Sequence, residues 1–374
     1  MKRPLPLILI ALVLILTSTG CRGFFSSDTN NSGSNGGGTA NPPKFAYVAS
    51  AATNNTSGSV SPFTVNAGNG NLTAISSGAV PVTGSPNSIA ADASGSLLYV
   101  AAQAGGISGF QINRSDGSLL PADGSPFITV GDPLAVAVDP NARFVYVANN
   151  SAASVSVFAI GTGGVLTPVS SAIVGVNPLG LALDKAGFTL YVANGSSGTY
   201  VFKINQTTGA LTLTRNVPPN NSTSSRAVAV DPVGQFAYVA NGAATGGVDA
   251  YARNGNTGDL TLISGSPFAT AGNTPSALTV DPTGRYLYVT NVASNSVSAF
   301  TINSDGTLTT ITGSPFAAGQ APVSVAVDPS GSFVYVTNFN DSTLSVYTID
   351  SNGALGSRRT AQLPGNAASV VVTK

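Results

Sequence analysis

A tyrosine-centred segment returns seven times in this 374-residue chain, and its spacing restricts what the chain can fold into. It reads Tyr47-Val48-Ala49, Tyr99-Val100-Ala101, Tyr146-Val147-Ala148-Asn149 and Tyr191-Val192-Ala193-Asn194. It then returns as Tyr238-Val239-Ala240-Asn241, Tyr288-Val289-Thr290-Asn291 and Tyr335-Val336-Thr337-Asn338. Successive tyrosines lie 52, 47, 45, 47, 50 and 47 positions apart. A unit of that size cannot bury its own apolar face, so neighbouring units must stack to make a shared core.

Each unit contains four runs with strand chemistry. In the last full unit Ser324-Val325-Ala326-Val327 is a short strand of small and apolar residues, and Asp328-Pro329-Ser330-Gly331 turns the chain. Phe333 to Thr337 is the second strand, and Ser342 to Ile349 alternates as the third. The fourth is clearest one unit earlier, at Thr307 to Ile311. Alternation marks half-buried strands, while Asp, Asn, Pro and Gly supply the turns. No helical period is sustained anywhere. The expectation is an all-β, seven-bladed β-propeller of four-stranded antiparallel blades. Tyr47 has no Ser-Val-Ala-Val strand before it, whereas Ser369 to Thr373 is such a strand with nothing after it. Pairing the C-terminal strand with the N-terminal strands would close the ring and hide two edges.

Two repeated elements have structural readings. Asp92, Asp139, Asp184, Asp231, Asp281 and Asp328 precede second strands at one place. One Asp per blade spreads the carboxylates around a ring instead of gathering them as calcium would require, so no metal site is expected. They are expected to accept backbone hydrogen bonds in Asp-Pro-x-Gly turns. Gly-Ser-Pro-Phe, beginning at Gly124, Gly265 and Gly313, is expected to be a packing and turn element.

The first 43 residues have a different character. Lys2 and Arg3 precede an apolar stretch from Leu5 to Leu16, then Thr17, Ser18, Thr19 and Gly20 lead to Cys21. This order is that of an export signal, and the apolar stretch is short for a membrane span. Cys21 is the sole cysteine, placed where a lipoprotein signal puts its acylated thiol, although Ser18 stands where Leu is usual. Residues 1–21 are therefore expected to be a lipoprotein signal peptide, with Cys21 lipidated. Residues 22–43, rich in Ser, Asn and Gly, would be a tether of about 25 Å root-mean-square span. Residues 44–374 would be the propeller, held at the cell envelope by the lipid. Arg22 beside the anchor, rather than Asp, resembles lipoproteins sent to the outer membrane.

Composition removes several function classes. Charged residues are 8% of the chain and the formal net charge is +0, so attraction to nucleic acid has no source. The chain has no histidine, and all 15 acidic residues are aspartate. Without histidine a Ser-His-Asp triad is impossible. No Cys or His cluster or Gly-rich phosphate loop is present, so no cofactor is expected.

The Tyr-Val-Thr-Asn strands and Asp-Pro-x-Gly turns resemble the YVTN-repeat propellers. These belong to the lactonase-like seven-bladed group that includes propeller-type 6-phosphogluconolactonases. The resemblance runs from Lys44 to Lys374. It implies a Pro-Arg-His run at the head of an innermost strand and a Glu soon after the next strand's Asn. Aligned on Asp231, these positions hold Ser225-Arg226-Ala227 and Gly242. Arg226 thus matches the family arginine, while Ala227 replaces the histidine and Gly242 the glutamate. Arg226 is the candidate anion or ligand-binding residue. No catalytic residue is assigned.

Opening a lactone needs a base to activate water and a donor for the developing oxyanion. Arg226 could serve the second role. Asp249 and Asp132 are the carboxylates outside the repeated turns that could be tried for the first. Two readings follow. One is a non-catalytic binding scaffold at the cell envelope. Its polysaccharide or protein partner would be met by the loops that vary most, Ala51 to Ser59, Asn220 to Ser225 and Gly242 to Gly247. The other is a lactonase-like hydrolase of sugar lactones, 6-phosphogluconolactonase-like.

Overall fold

The computed structural model describes residues 44–52, 57–220 and 224–374. Its strands form seven antiparallel sheets, the blades. The innermost strands are Asn366–Thr373 in blade one and Ser85–Ala91 in blade two. Pro133–Val138, Gly180–Leu183, Ser225–Val230, Pro275–Val280 and Pro322–Val327 follow in blades three to seven. Each packs on the next, and the last returns to Asn366–Thr373, so the ring is closed. Every blade then adds a second, a third and an outermost strand. The closure is the expected one: Phe45–Ala51 pairs with Asn366–Thr373, from Phe45 opposite Thr373 to Ala51 opposite Asn366.

Alternation along the second strands explains how blades adhere. The seven repeat tyrosines are fully buried between blades. A buried phenol fills a large apolar volume, and its hydroxyl must still find an acceptor. Six find the same one, a glycine carbonyl in the next blade's outer turn. Tyr47 donates to Gly117 at 3.0 Å, Tyr99 to Gly164 at 3.0 Å and Tyr146 to Gly209 at 3.3 Å. Tyr191 donates to Gly258 at 2.7 Å, Tyr238 to Gly306 at 3.2 Å and Tyr288 to Gly353 at 2.9 Å. The glycine is required sterically. At Gly306, where φ is 82°, a Cβ would lie 2.4 Å from the Phe236 ring. Tyr335, facing the blade built from both chain ends, is the exception: its hydroxyl is buried without a partner.

The repeated turns behave as expected. Asp328 accepts from the backbone N–H groups of Ser330, Ser332 and Phe333, and Asp92 from those of Ser94, Ser96 and Leu97. The Gly-Ser-Pro-Phe elements finish the outer edge. Ser125, Ser266 and Ser314 accept from the third-strand N–H groups of Gly109, Ala250 and Ala299, which would otherwise be bare. Cys21, the expected signal peptide and the expected tether lie outside the described residues. Parts of two variable loops, 53–56 and 221–223, do so as well. No helix among the described residues is long and apolar enough to cross a membrane.

Candidate functional site at the hub

Second strands end, and third strands begin, on the face where the innermost strands start. That face is the mouth of the hub. Here six of the seven innermost strands carry a register shift against their neighbour. Ser225 sits opposite Asn241 and Ala227 opposite Ala240, which leaves Arg226 as the extra residue. The equivalent extra residues are Asn87, Leu134, Ser276, Val323 and Ala368. A bulge re-aims the side chain it carries. Asn87 uses its side chain to reach the next blade, donating to the Pro133 carbonyl at 3.3 Å, while the Ser276 hydroxyl lies 3.2 Å from the carbonyls of both Pro322 and Thr290. Leu134, Val323 and Ala368 are buried. Arg226 is the one charged member and is half-buried.

Its guanidinium pairs with no other described residue. Among the described residues the ion pairs are Arg143 with Asp139 and Arg253 with Asp184, and Arg226 belongs to neither. Its Nε is buried with no hydrogen-bond partner. A buried donor left unmade forfeits its hydration, roughly 1–3 kcal/mol and more when charged. The side chain lies across Gly242: a Cβ at that position would be 2.1 Å from the Arg226 Nε and 2.4 Å from its Cδ. The position where the family glutamate was expected is therefore the floor on which the arginine rests. Ala227, at the expected histidine position, is buried and offers no proton carrier.

Neither carboxylate considered from the sequence forms an ion pair with that cation. Asp249 lies on the third strand of blade five (Gly247–Arg253), opposite Val239, and is 2% exposed. Corresponding positions hold Ser61, Ser108, Ser156, Ser298 and Ser345, with Tyr200 in blade four. Burial pushes the Asp249 carboxyl up to about 6, against a 3.1 Å hydrogen bond from the Asn220 amide that favours ionisation. A guanidinium in contact would have pulled it down instead. Asp132 immediately precedes the innermost strand of blade three at the mouth. Its N–H donates to Ser151 Oγ at 3.1 Å and its carbonyl accepts from Asn150 at 2.8 Å. Among the described residues no group of three or more His, Cys, Asp or Glu side chains could hold a metal ion.

Sequence reasoning missed the bulge that aims Arg226. A trace of it was present, because Pro86, Pro133, Pro275 and Pro322 each stand directly before an extra residue. Proline in an innermost strand belongs at a bulge or strand start, where its missing N–H is tolerated.

Seven antiparallel blades closed by the two chain ends, with one unpaired arginine at the hub, define a seven-bladed propeller with a candidate anion site. The sequence matches the family described as lactonase, 7-bladed beta-propeller, over residues 45–180, 132–228, 178–269 and 264–372, and the chain belongs to that family. No curated protein matches it. Among solved structures it resembles a Bacteroides fragilis protein whose assignment as a 6-phosphogluconolactonase is provisional. The TM-score is 0.75 at 19% identity, covering 91% of this chain and 100% of that one. A Pseudomonas aeruginosa periplasmic gluconolactonase gives 0.73 at 19% identity, covering 88% and 99%. A Lactobacillus plantarum protein gives 0.73 at 23% identity, covering 89% and 100%. At these identities the likeness establishes the shared fold.

Proposed function

We propose that the protein is a lactonase-type propeller of the cell envelope whose hub mouth binds and opens sugar lactones. The observation that carries this is Arg226, a half-buried cation on an innermost strand with no partner among the described residues. Membership of the lactonase family, and a structural neighbour named as a periplasmic gluconolactonase, support the lactone reading over a purely structural scaffold. An exported lactonase also suits the signal-like residues 1–21 and the anchor proposed at Cys21.

In the proposed reaction water oxygen bonds to the lactone carbonyl carbon and the ring C–O bond breaks. The ring oxygen leaves as a hydroxyl, and the new carboxylic acid releases its proton to solvent. Arg226 acts as the electrophilic partner, its planar fork matched to the developing oxyanion and then to the product carboxylate. Ala227 and Gly242 favour a second reading, in which the same hub binds a sugar acid without turnover.

Ring opening of glucono-δ-lactone by the full-length protein in detergent, followed by base uptake above the spontaneous rate, separates the two. Catalysis that disappears in Arg226→Ala supports the lactonase. Binding of gluconate without rate enhancement supports the second reading, and neither turnover nor binding removes both. For the anchor, labelled fatty acid should enter the wild type and not Cys21→Ser.

A further inference from the structure

We infer that the hub mouth is selective for sugar lactones and sugar acids that carry no phosphate group. The inference rests on the lactone reading above and adds to it the charge class of the substrate. Arg226 is the only Lys or Arg among the described residues on an innermost strand or on a loop of the mouth face. Lys44, Arg143, Lys185 and Arg285 flank the starts of second strands, on the opposite face of the ring. The other described cations lie on that face too, or on the third and outermost strands. The internal stretches outside the described residues, 53–56 and 221–223, contain only Asn, Thr and Ser.

A phosphate monoester carries about −1.5 to −2 charge near neutral pH and three strong acceptor oxygens. Its recognition calls for several clustered donors, usually more than one Arg or Lys. The mouth offers one guanidinium. Asp132 shares that face, as does Asp341 between the second and third strands of blade seven, and their field opposes a second negative charge. A neutral lactone, or the single carboxylate of its hydrolysis product, matches the charge available. The bulge ring adds no second cation: its other members are Asn87, with one amide N–H committed to Pro133, Ser276, whose hydroxyl lies among the Thr290 and Pro322 carbonyls, and the apolar Leu134, Val323 and Ala368.

Competing substrates on the full-length protein in detergent provide the test. Glucono-δ-lactone and its 6-phosphorylated form would be compared by initial rates at pH 7. The kcat/KM for the unphosphorylated lactone is expected to be at least tenfold higher. Equal or better use of the phosphorylated form overturns the inference while leaving the lactonase reading standing. If neither is turned over, calorimetric titration with gluconate and 6-phosphogluconate decides: tighter gluconate supports the inference, and tighter 6-phosphogluconate overturns it. Binding of neither removes the lactone reading and this inference together. Asp132→Lys provides an independent readout, because adding a cation to the rim should shift the ratio severalfold toward the phosphorylated form. An unchanged ratio would mean that rim charge does not set the preference, against the inference.

Discussion

Blade five holds two arginines that differ in almost every physical respect. Arg253 closes the seam toward blade four, and its side chain is 5% exposed. Its Nε donates to the Tyr191 hydroxyl at 2.7 Å, its Nη1 to the Gly234 carbonyl at 3.0 Å, and its Nη2 to Asp184 and Thr189. Arg226, on the innermost strand of the same blade, donates to no other described residue and leaves Nε buried. A satisfied buried guanidinium fixes an interface. An unsatisfied one at the hub fixes no such interface, which is why we propose it as the ligand contact. On the proposed reading, the two sites separate what the blade needs to fold from what it would offer a ligand.

The largest test of that separation is Arg253→Ala. It removes the cation paired with Asp184, leaving that carboxylate its backbone donors Phe188 and Thr189, and removes the Nε donor to the Tyr191 hydroxyl. Breaking a buried pair costs about 3–5 kcal/mol. Urea denaturation should show that loss, and a change below 1 kcal/mol would erase the contrast. Asp249 is an intermediate case, a buried charge with one neutral partner. Its folded value of about 6 lies above the model-peptide 3.8, so the native state binds the proton more tightly. Stability therefore falls as pH rises from about 4 to about 6, and the deficit is complete above that window. Asp249→Asn should stabilise the protein by roughly 2–3 kcal/mol at pH 7 and by little at pH 4. A flat difference between the two pH values would count against a buried, strained carboxylate.

The third test sharpens the hub side. In Gly242→Ala the new Cβ would occupy space now held by Arg226, which is 2.1 Å away at Nε. The arginine is the movable partner, so the fold should persist while the guanidinium is displaced. Gluconate affinity is expected to fall about tenfold, equivalent to roughly 1.4 kcal/mol. Unchanged affinity would mean that Gly242 is not the floor of the site.

The architecture was legible because each blade must solve one packing problem the same way. The tyrosine satisfies one hydrogen bond at six of the seven seams, the Asp turn recurs in six blades and the Gly-Ser-Pro-Phe edge in three, so their spacing is written into the chain. The site was legible only in part. Arg226 was found through resemblance, whereas its exposure at the mouth follows from a register shift that emerges only when strands pair. The burial of Asp249 was hidden for a similar reason. Val248-Asp249-Ala250 reads as an ordinary alternating strand until its neighbours show that the carboxylate occupies a place where five other blades carry serine. The unpartnered Tyr335 hydroxyl was equally invisible, since its repeat looks like the other six.

The smallest expected effect is the most discriminating. Arg226→Met keeps an unbranched stem that can still lie over Gly242, and it deletes the buried Nε and the charge. No hydrogen bond to another described residue is lost, and the buried Nε makes none. Stability should therefore stay within about 1 kcal/mol of the wild type, or rise, since an unsatisfied buried donor has been removed. A ligand that binds only the native state adds stability by mass action, so gluconate should raise the urea midpoint of the wild type. The same concentration should leave Arg226→Met unmoved. Loss of several kcal/mol without ligand would place Arg226 beside Arg253 as a structural residue. An undiminished ligand shift would move the binding site away from the hub.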